Sequence, residues 1–176
     1  MAVAQQHLKD ILYSGPLSGI KLFQVNDNFF ELFREGYWII DGGIELTLPG
    51  GVVSAAWNSN LEMFTVGSET VANIYGQDNL IQLENERIAT LDRFLGSKIV
   101  EVELNEMEFE YVADYTMRVE KEQQVVEIIC HFDDNTHLQI AFIEYSLEEN
   151  KAPTNFSFDL YNDILISIKH IFEIGT

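Results

Sequence analysis

Five glutamates fall at positions 101, 103, 106, 108 and 110 of a 176-residue chain, and Val100, Val102, Leu104, Met107, Phe109 and Tyr111 stand among them. Alternation of charged and apolar residues with period two is the pattern of a strand in an antiparallel sheet with one face in water. Read as two strands, 99–104 and 106–111, that pair with each other, it gathers Glu101, Glu103, Glu106, Glu108 and Glu110 on one sheet face. Crowded carboxylates attract a cationic partner, speed its encounter and select against acidic competitors. They are poor candidates for a glycosidase pair, because nothing singles out two of them and no cleft signature accompanies them. The same row also reads as a solvated exterior that discourages edge-to-edge aggregation. Like charges set across from one another in a sheet cost about a few tenths of a kcal/mol each, and salt softens that cost.

The second constellation is His131-Phe132-Asp133-Asp134-Asn135-Thr136-His137. Two apolar runs flank it, so it reads as the tip of a hairpin. With Asp133-Asp134-Asn135 as the loop, His131 pairs across from His137 on one face with Asp133 close by, a donor set suited to a divalent metal. With only Asp134-Asn135 as the loop, the two histidines point to opposite faces and the site disappears. Asp-Asp-Asn-Thr is equally ordinary turn chemistry, since these side chains cap their own backbone. His131, Asp133 and His137 are thus the candidate ligands should a metal bind, and no cofactor is expected.

Other chemistry is excluded by absence. The phosphate-loop, dinucleotide and zinc-protease patterns are missing, and no serine sits in a nucleophile elbow. Cys130 is the sole cysteine, so no intramolecular disulfide and no cysteine-based zinc site can form. Its apolar neighbours mark it as a small buried hydrophobe rather than a reactive thiol. Trp38 and Trp57 lie in strand patterns and read as core. Asn155-Phe156-Ser157 matches a glycosylation sequon, but no secretion signal precedes it.

The formal charge is −19, from 10 basic and 29 acidic residues. Residues 101–150 hold 14 of the acids against Arg118 and Lys121 alone, a local balance of −12. Such a surface repels phosphate backbones and anionic membranes, so nucleic acid and membrane are not expected partners, whereas a basic protein is. Acidity that serves only solubility is the competing explanation. No run approaches the ~20 apolar residues that span a bilayer, and the absence of disulfide chemistry fits a reducing compartment. The expected location is cytoplasmic.

The elements that position these residues are mostly strands. Helices are expected over 3–14, where Leu8, Ile11 and Leu12 share a face before Gly15-Pro16, and near 84–95, where Ile88, Leu91, Phe94 and Leu95 form a stripe ended by Gly96. Strands are expected at 20–25, 29–33 and 37–40, in a hairpin of 44–48 and 52–57 about Pro49-Gly50-Gly51, at 70–75, then at 115–120, 124–132, 138–145 and 156–160. Residues 161–173 suit strand or helix, and the isoleucines at 164, 166 and 168 favour strand for the first part. The predicted class is α+β, mostly antiparallel sheet with two short helices, in a single domain over 1–176. A helix followed by a β-meander recurs over 3–75 and 84–160, an echo that an internal duplication explains and that two unrelated β-meanders explain as well. Residues 76–80 are the one candidate boundary.

The segment Ile128-Ile129-Cys130-His131-Phe132-Asp133-Asp134-Asn135-Thr136-His137-Leu138-Gln139-Ile140, within 95–145, resembles small bacterial immunity proteins of polymorphic toxin systems. Many of these carry an apolar strand, an acidic turn and a second apolar strand. The resemblance implies a protein that neutralises a toxin, often a cationic nuclease, by occluding its active site, and it carries over no individual binding residue. The expected function is therefore non-enzymatic binding of a basic protein by the glutamates of 101–110. The alternatives are a structural or small-ligand domain without enzymatic activity, and a metal-dependent enzyme built on the His131–His137 hairpin.

Overall fold

Leu8, Ile11 and Leu12 share one face of helix α1 (Ala2–Leu12) and are buried in the main core. That face fastens the helix, and beyond its end Pro16 forms an isolated bridge to Lys98. The computed structural model describes residues 2–25, 31–34, 36–59, 61–75, 80–84, 88–113, 118–148 and 152–175.

Among the described residues twelve strands follow: β1 (Gly19–Val25), β2 (Glu31–Arg34), β3 (Tyr37–Ile40), β4 (Gly43–Leu48), β5 (Gly51–Asn58), β6 (Met63–Gly67), β7 (Leu80–Gln82), β8 (Ile99–Ala113), β9 (Arg118–Phe132), β10 (His137–Ser146), β11 (Thr154–Phe158) and β12 (Asp163–Ser167). A smaller sheet has the order β6-β5-β4-β1-β7, and a larger one the order β2-β3-β12-β10-β9-β8 with β11 added to β10. Every pairing of these strands is antiparallel. The class is α+β, dominated by antiparallel sheet with few short helices, as expected.

The two sheets enclose the main core. Leu22, Ile44, Leu46, Val53 and Phe64 enter it from the smaller sheet, and Trp38, Ile40, Ile128, Ile140, Phe142 and Ile164 from the larger. The larger sheet is covered on its other face too. There Ile39, Ala141, Ile143 and Leu165 form a second cluster under Phe156, Phe172 and Ile174. Central strand β10 is therefore apolar without a break from Ile140 to Ile143, because both of its faces are dry.

Several expectations need correction. Residues 70–75 do not form a strand: Val71–Tyr75 is a one-turn helix, α2. Val71 is buried with Phe23 and Ala56 on the outer face of the smaller sheet, and Thr70 caps the turn by accepting the Asn73 N–H at 3.2 Å. Tertiary burial there outweighs the β preference of Val71, Ile74 and Tyr75. The second helix is of the 3-10 type over Ile88–Phe94. It buries Leu91 and Phe94 but leaves Leu95 exposed, and Gly96 closes it with a positive φ of 86°. Residues 99–104 and 106–111 are one continuous strand, β8, rather than a hairpin. Strand β6 had no counterpart in the sequence reading. The 161–173 segment is strand only over Asp163–Ser167, and it then crosses the second cluster without regular structure. Residues 29–30, 76–79, 85–87, 115–117 and 149–151, where other expectations fall, lie outside the described residues. Residues 3–75 supply strands to both sheets, whereas β8 to β11 all lie in the larger sheet. No helix among the described residues is long and apolar enough to cross a membrane.

Candidate functional site

The acidic row lies on β8, the terminal strand of the larger sheet. Its register with β9 runs Glu101 to His131, Glu103 to Ile129, Glu106 to Val125, Glu108 to Gln123 and Glu110 to Lys121. The pairing slips twice: Val100 is an extra residue on β8, and Val126 is an extra residue on β9 opposite the step from Asn105 to Glu106. Such bulges add one residue to one strand and sharpen its twist. The exposure pattern shifts with the second slip. Val102 and Leu104 before it, and Met107 and Phe109 after it, pack against the main core, while all five glutamates are exposed. The carboxylates do not face one another across a hairpin, as the two-strand reading required. They run along a single edge strand and divide into local groups.

Each group has its own neighbour. Glu103 Oε1 lies 2.7 Å from His131 Nε2. Glu106 accepts the side-chain amide of Gln5, which docks α1 against the strand. Lys121 Nζ reaches Glu108 Oε1 at 2.7 Å and Glu110 Oε1 at 2.9 Å, with all three side chains about half exposed or more. The hydrogen bonds it donates to Glu108 and then Glu110 hold the Lys121 ammonium above the usual lysine range. In open solvent such pairs contribute little to stability. One cation shared between two carboxylates leaves the row negative.

The hairpin tip takes the three-residue form. His131 pairs with His137, and Phe132 N donates to Thr136 O at 2.9 Å across Asp133-Asp134-Asn135. Asn135 supplies the left-handed residue at φ 64°, and Asp134 Oδ1 accepts the Thr136 N–H at 2.9 Å. The two histidines therefore stand opposite each other, yet the ligand set does not close. Asp133 turns to the start of β8 and accepts the Lys98 N–H at 3.1 Å. His131 is engaged by Glu103. Burial first, and then the adjacent His131, keep the His137 imidazole below its ordinary pKa. Among the described residues no group of three or more histidine, cysteine, aspartate or glutamate side chains is gathered for a metal. Cys130, fully buried one residue away, has its thiol pushed up to about 12 by that burial, so it carries no thiolate at neutral pH.

Two polar centres escaped the sequence reading. Glu127 on β9 is buried, and Gln139 Nε2 donates to its Oε1 at 2.5 Å while Asn105 donates to its other oxygen. The second centre is Asp41 and Asp163. Ile40 pairs with Ile164, so the next step of the register sets Asp41 across from Asp163. Burial, and then the Asp41 charge, raise the Asp163 carboxyl to about 6, against a Tyr145 hydroxyl hydrogen bond that lowers it. Only the bounding of two strand ends by aspartates hinted at this pair. Because the folded-state pKa lies above the ordinary value, ionised Asp163 destabilises the fold. The penalty is full above pH 6 and vanishes as pH falls below the unfolded value. Asp163→Asn is therefore expected to melt above the wild type at pH 7.5, with the gap closing toward pH 4 in thermal scans across that range.

No protein-family model matches this chain, and no match is found among curated proteins or among solved structures.

Proposed function

We propose that this chain is a non-enzymatic, acidic binding protein of the cytoplasm, whose β8 glutamates dock a basic protein partner in the manner of an immunity protein that neutralises a toxin. One observation carries the reading: Glu101, Glu103, Glu106, Glu108 and Glu110 are all exposed along a single edge strand, with Lys121 as the cation that pairs with two of them. The mechanism is electrostatic. A row of carboxylates on a rigid strand steers a cationic surface into register and raises the association rate. Apolar anchoring of Val102, Leu104, Met107 and Phe109 in the core fixes the row, so little ordering is needed when the partner arrives.

The test begins with a photo-cross-linking side chain at position 108 in the native host. The captured partner is expected to be a basic protein. Purified with it, the quadruple variant Glu103→Gln, Glu106→Gln, Glu108→Gln, Glu110→Gln is expected to bind at least about tenfold more weakly, mainly through slower association. An acidic partner, or an unchanged affinity in that variant, contradicts the proposal.

A further inference from the structure

β8 ends the larger sheet, with β9 on one side only. Just before the strand, Pro16 bridges Lys98 and the Leu17 N–H donates to Ser97 O at 2.9 Å, and farther along Gln5 of α1 reaches Glu106. Beyond Glu106 the outer side is open. From Met107 to Ala113, among the described residues, no strand pairs there and no backbone hydrogen bond other than those to β9 reaches the chain. Successive residues of a strand aim their N–H and C=O groups at opposite edges, so every second residue of this stretch presents an unused donor and acceptor.

The side chains along this edge select what can pair with it. Glu106, Glu108 and Glu110 are exposed, while Met107 and Phe109 between them are half-buried against the main core. An antiparallel second copy of the chain would set glutamate against glutamate across the new pairing, which is unfavourable. A strand with lysine or arginine at alternate positions reverses the sign of that interaction. Its cations meet the carboxylates from the side of β8 opposite Lys121, and apolar residues between them cover the uncovered parts of Met107 and Phe109. Past Glu127, β9 pairs with β8 alone, so its outer edge is open as well. That edge alternates in sign, with Arg118 and Lys121 among Glu120 and Glu122, and offers no uniform row.

We propose that the open edge of β8 from Met107 to Ala113 takes up an extended segment of the basic partner as an added strand, one in which basic and apolar residues alternate. Main-chain hydrogen bonds supply part of the affinity in strand addition, and alternate side chains supply the specificity. The inference rests on the binding function proposed above and adds to it the mode of docking and the sequence pattern that docks.

Amide hydrogen exchange of the full chain, read residue by residue with and without the peptide Lys-Val-Lys-Val-Lys-Val-Lys amide, tests it. Saturable binding is expected, with exchange at every second amide of Met107–Ala113 slowed at least about tenfold, because an added strand closes the free donors. A peptide of the same composition in blocks, Lys-Lys-Lys-Lys-Val-Val-Val amide, is expected to bind at least about tenfold more weakly, since it cannot place its cations at period two. Absence of saturable binding, equal binding of the block peptide, or binding that slows no β8 amide overturns strand addition. Slowed exchange in the chain alone that grows with its concentration assigns the edge to a second copy and overturns it too. The two readings fail separately. A captured partner that needs the glutamates but protects no β8 amide removes strand addition and leaves the binding function standing. Protection with undiminished affinity in the quadruple glutamine variant removes the role of the glutamates, and with it the choice of a basic strand.

Discussion

Phe142→Ala lowers the free energy of unfolding by about 3–5 kcal/mol in urea titrations. Phe142 lies in the middle of β10, essentially without exposure, and stacks on Phe64 of the smaller sheet at 5.5 Å with an interplanar angle of 20°. Phe64 in turn meets Trp57, so one column of rings joins the two sheets. Truncation to alanine removes the bridging ring and opens a cavity that the strands cannot close, because β10 is pinned by β12 on one side and β9 on the other. Phe142→Leu keeps most of the volume and costs at most about 1.5 kcal/mol. An alanine variant that loses less than about 1 kcal/mol would mean that the sheets are not interlocked through this ring.

Gln139→Leu costs about 2–4 kcal/mol, although leucine matches its size and the site is dry. The Gln139 amide donates to Glu127 Oε1 and to Phe172 O, and its carbonyl oxygen accepts the Phe172 N–H at 2.8 Å. Leucine strips one donor from a buried carboxylate and orphans both backbone groups of Phe172. The loss has a local signature. Hydrogen exchange at the Phe172 amide accelerates in the variant far more than exchange in β1, which shares no bond with the network. Uniform acceleration across the molecule would show that Gln139 does not fasten the C-terminal segment.

What could be read from the sequence follows the range of the interactions involved. The β4–β5 hairpin was legible because Pro49 and Gly50 are a local turn signal and Leu48 pairs with Gly51 across it. The exposure of the glutamates was legible because a period of two needs no tertiary partner to be recognised. Their division into groups was not, because it depends on Val126, an extra residue on a different strand. Helix α2 was illegible because Val71 is helical only where Phe23 and Ala56 bury it. The burial of Glu127 was illegible because Gln139 and Asn105, its hydrogen-bond partners, come from other strands. Asp41 and Asp163 meet only because β3 pairs with β12 far along the chain. Charge, period and turn chemistry are local properties, whereas register and burial belong to the folded chain.

The most direct measurement of the central claim is the equilibrium constant for the β8-captured partner as a function of salt. A docking face made of the β8 carboxylates predicts affinity that falls steeply from 50 to 500 mM sodium chloride, and a slope that flattens when Glu103, Glu106, Glu108 and Glu110 become glutamine. An affinity indifferent to salt, with the same value in the glutamine variant, would contradict it.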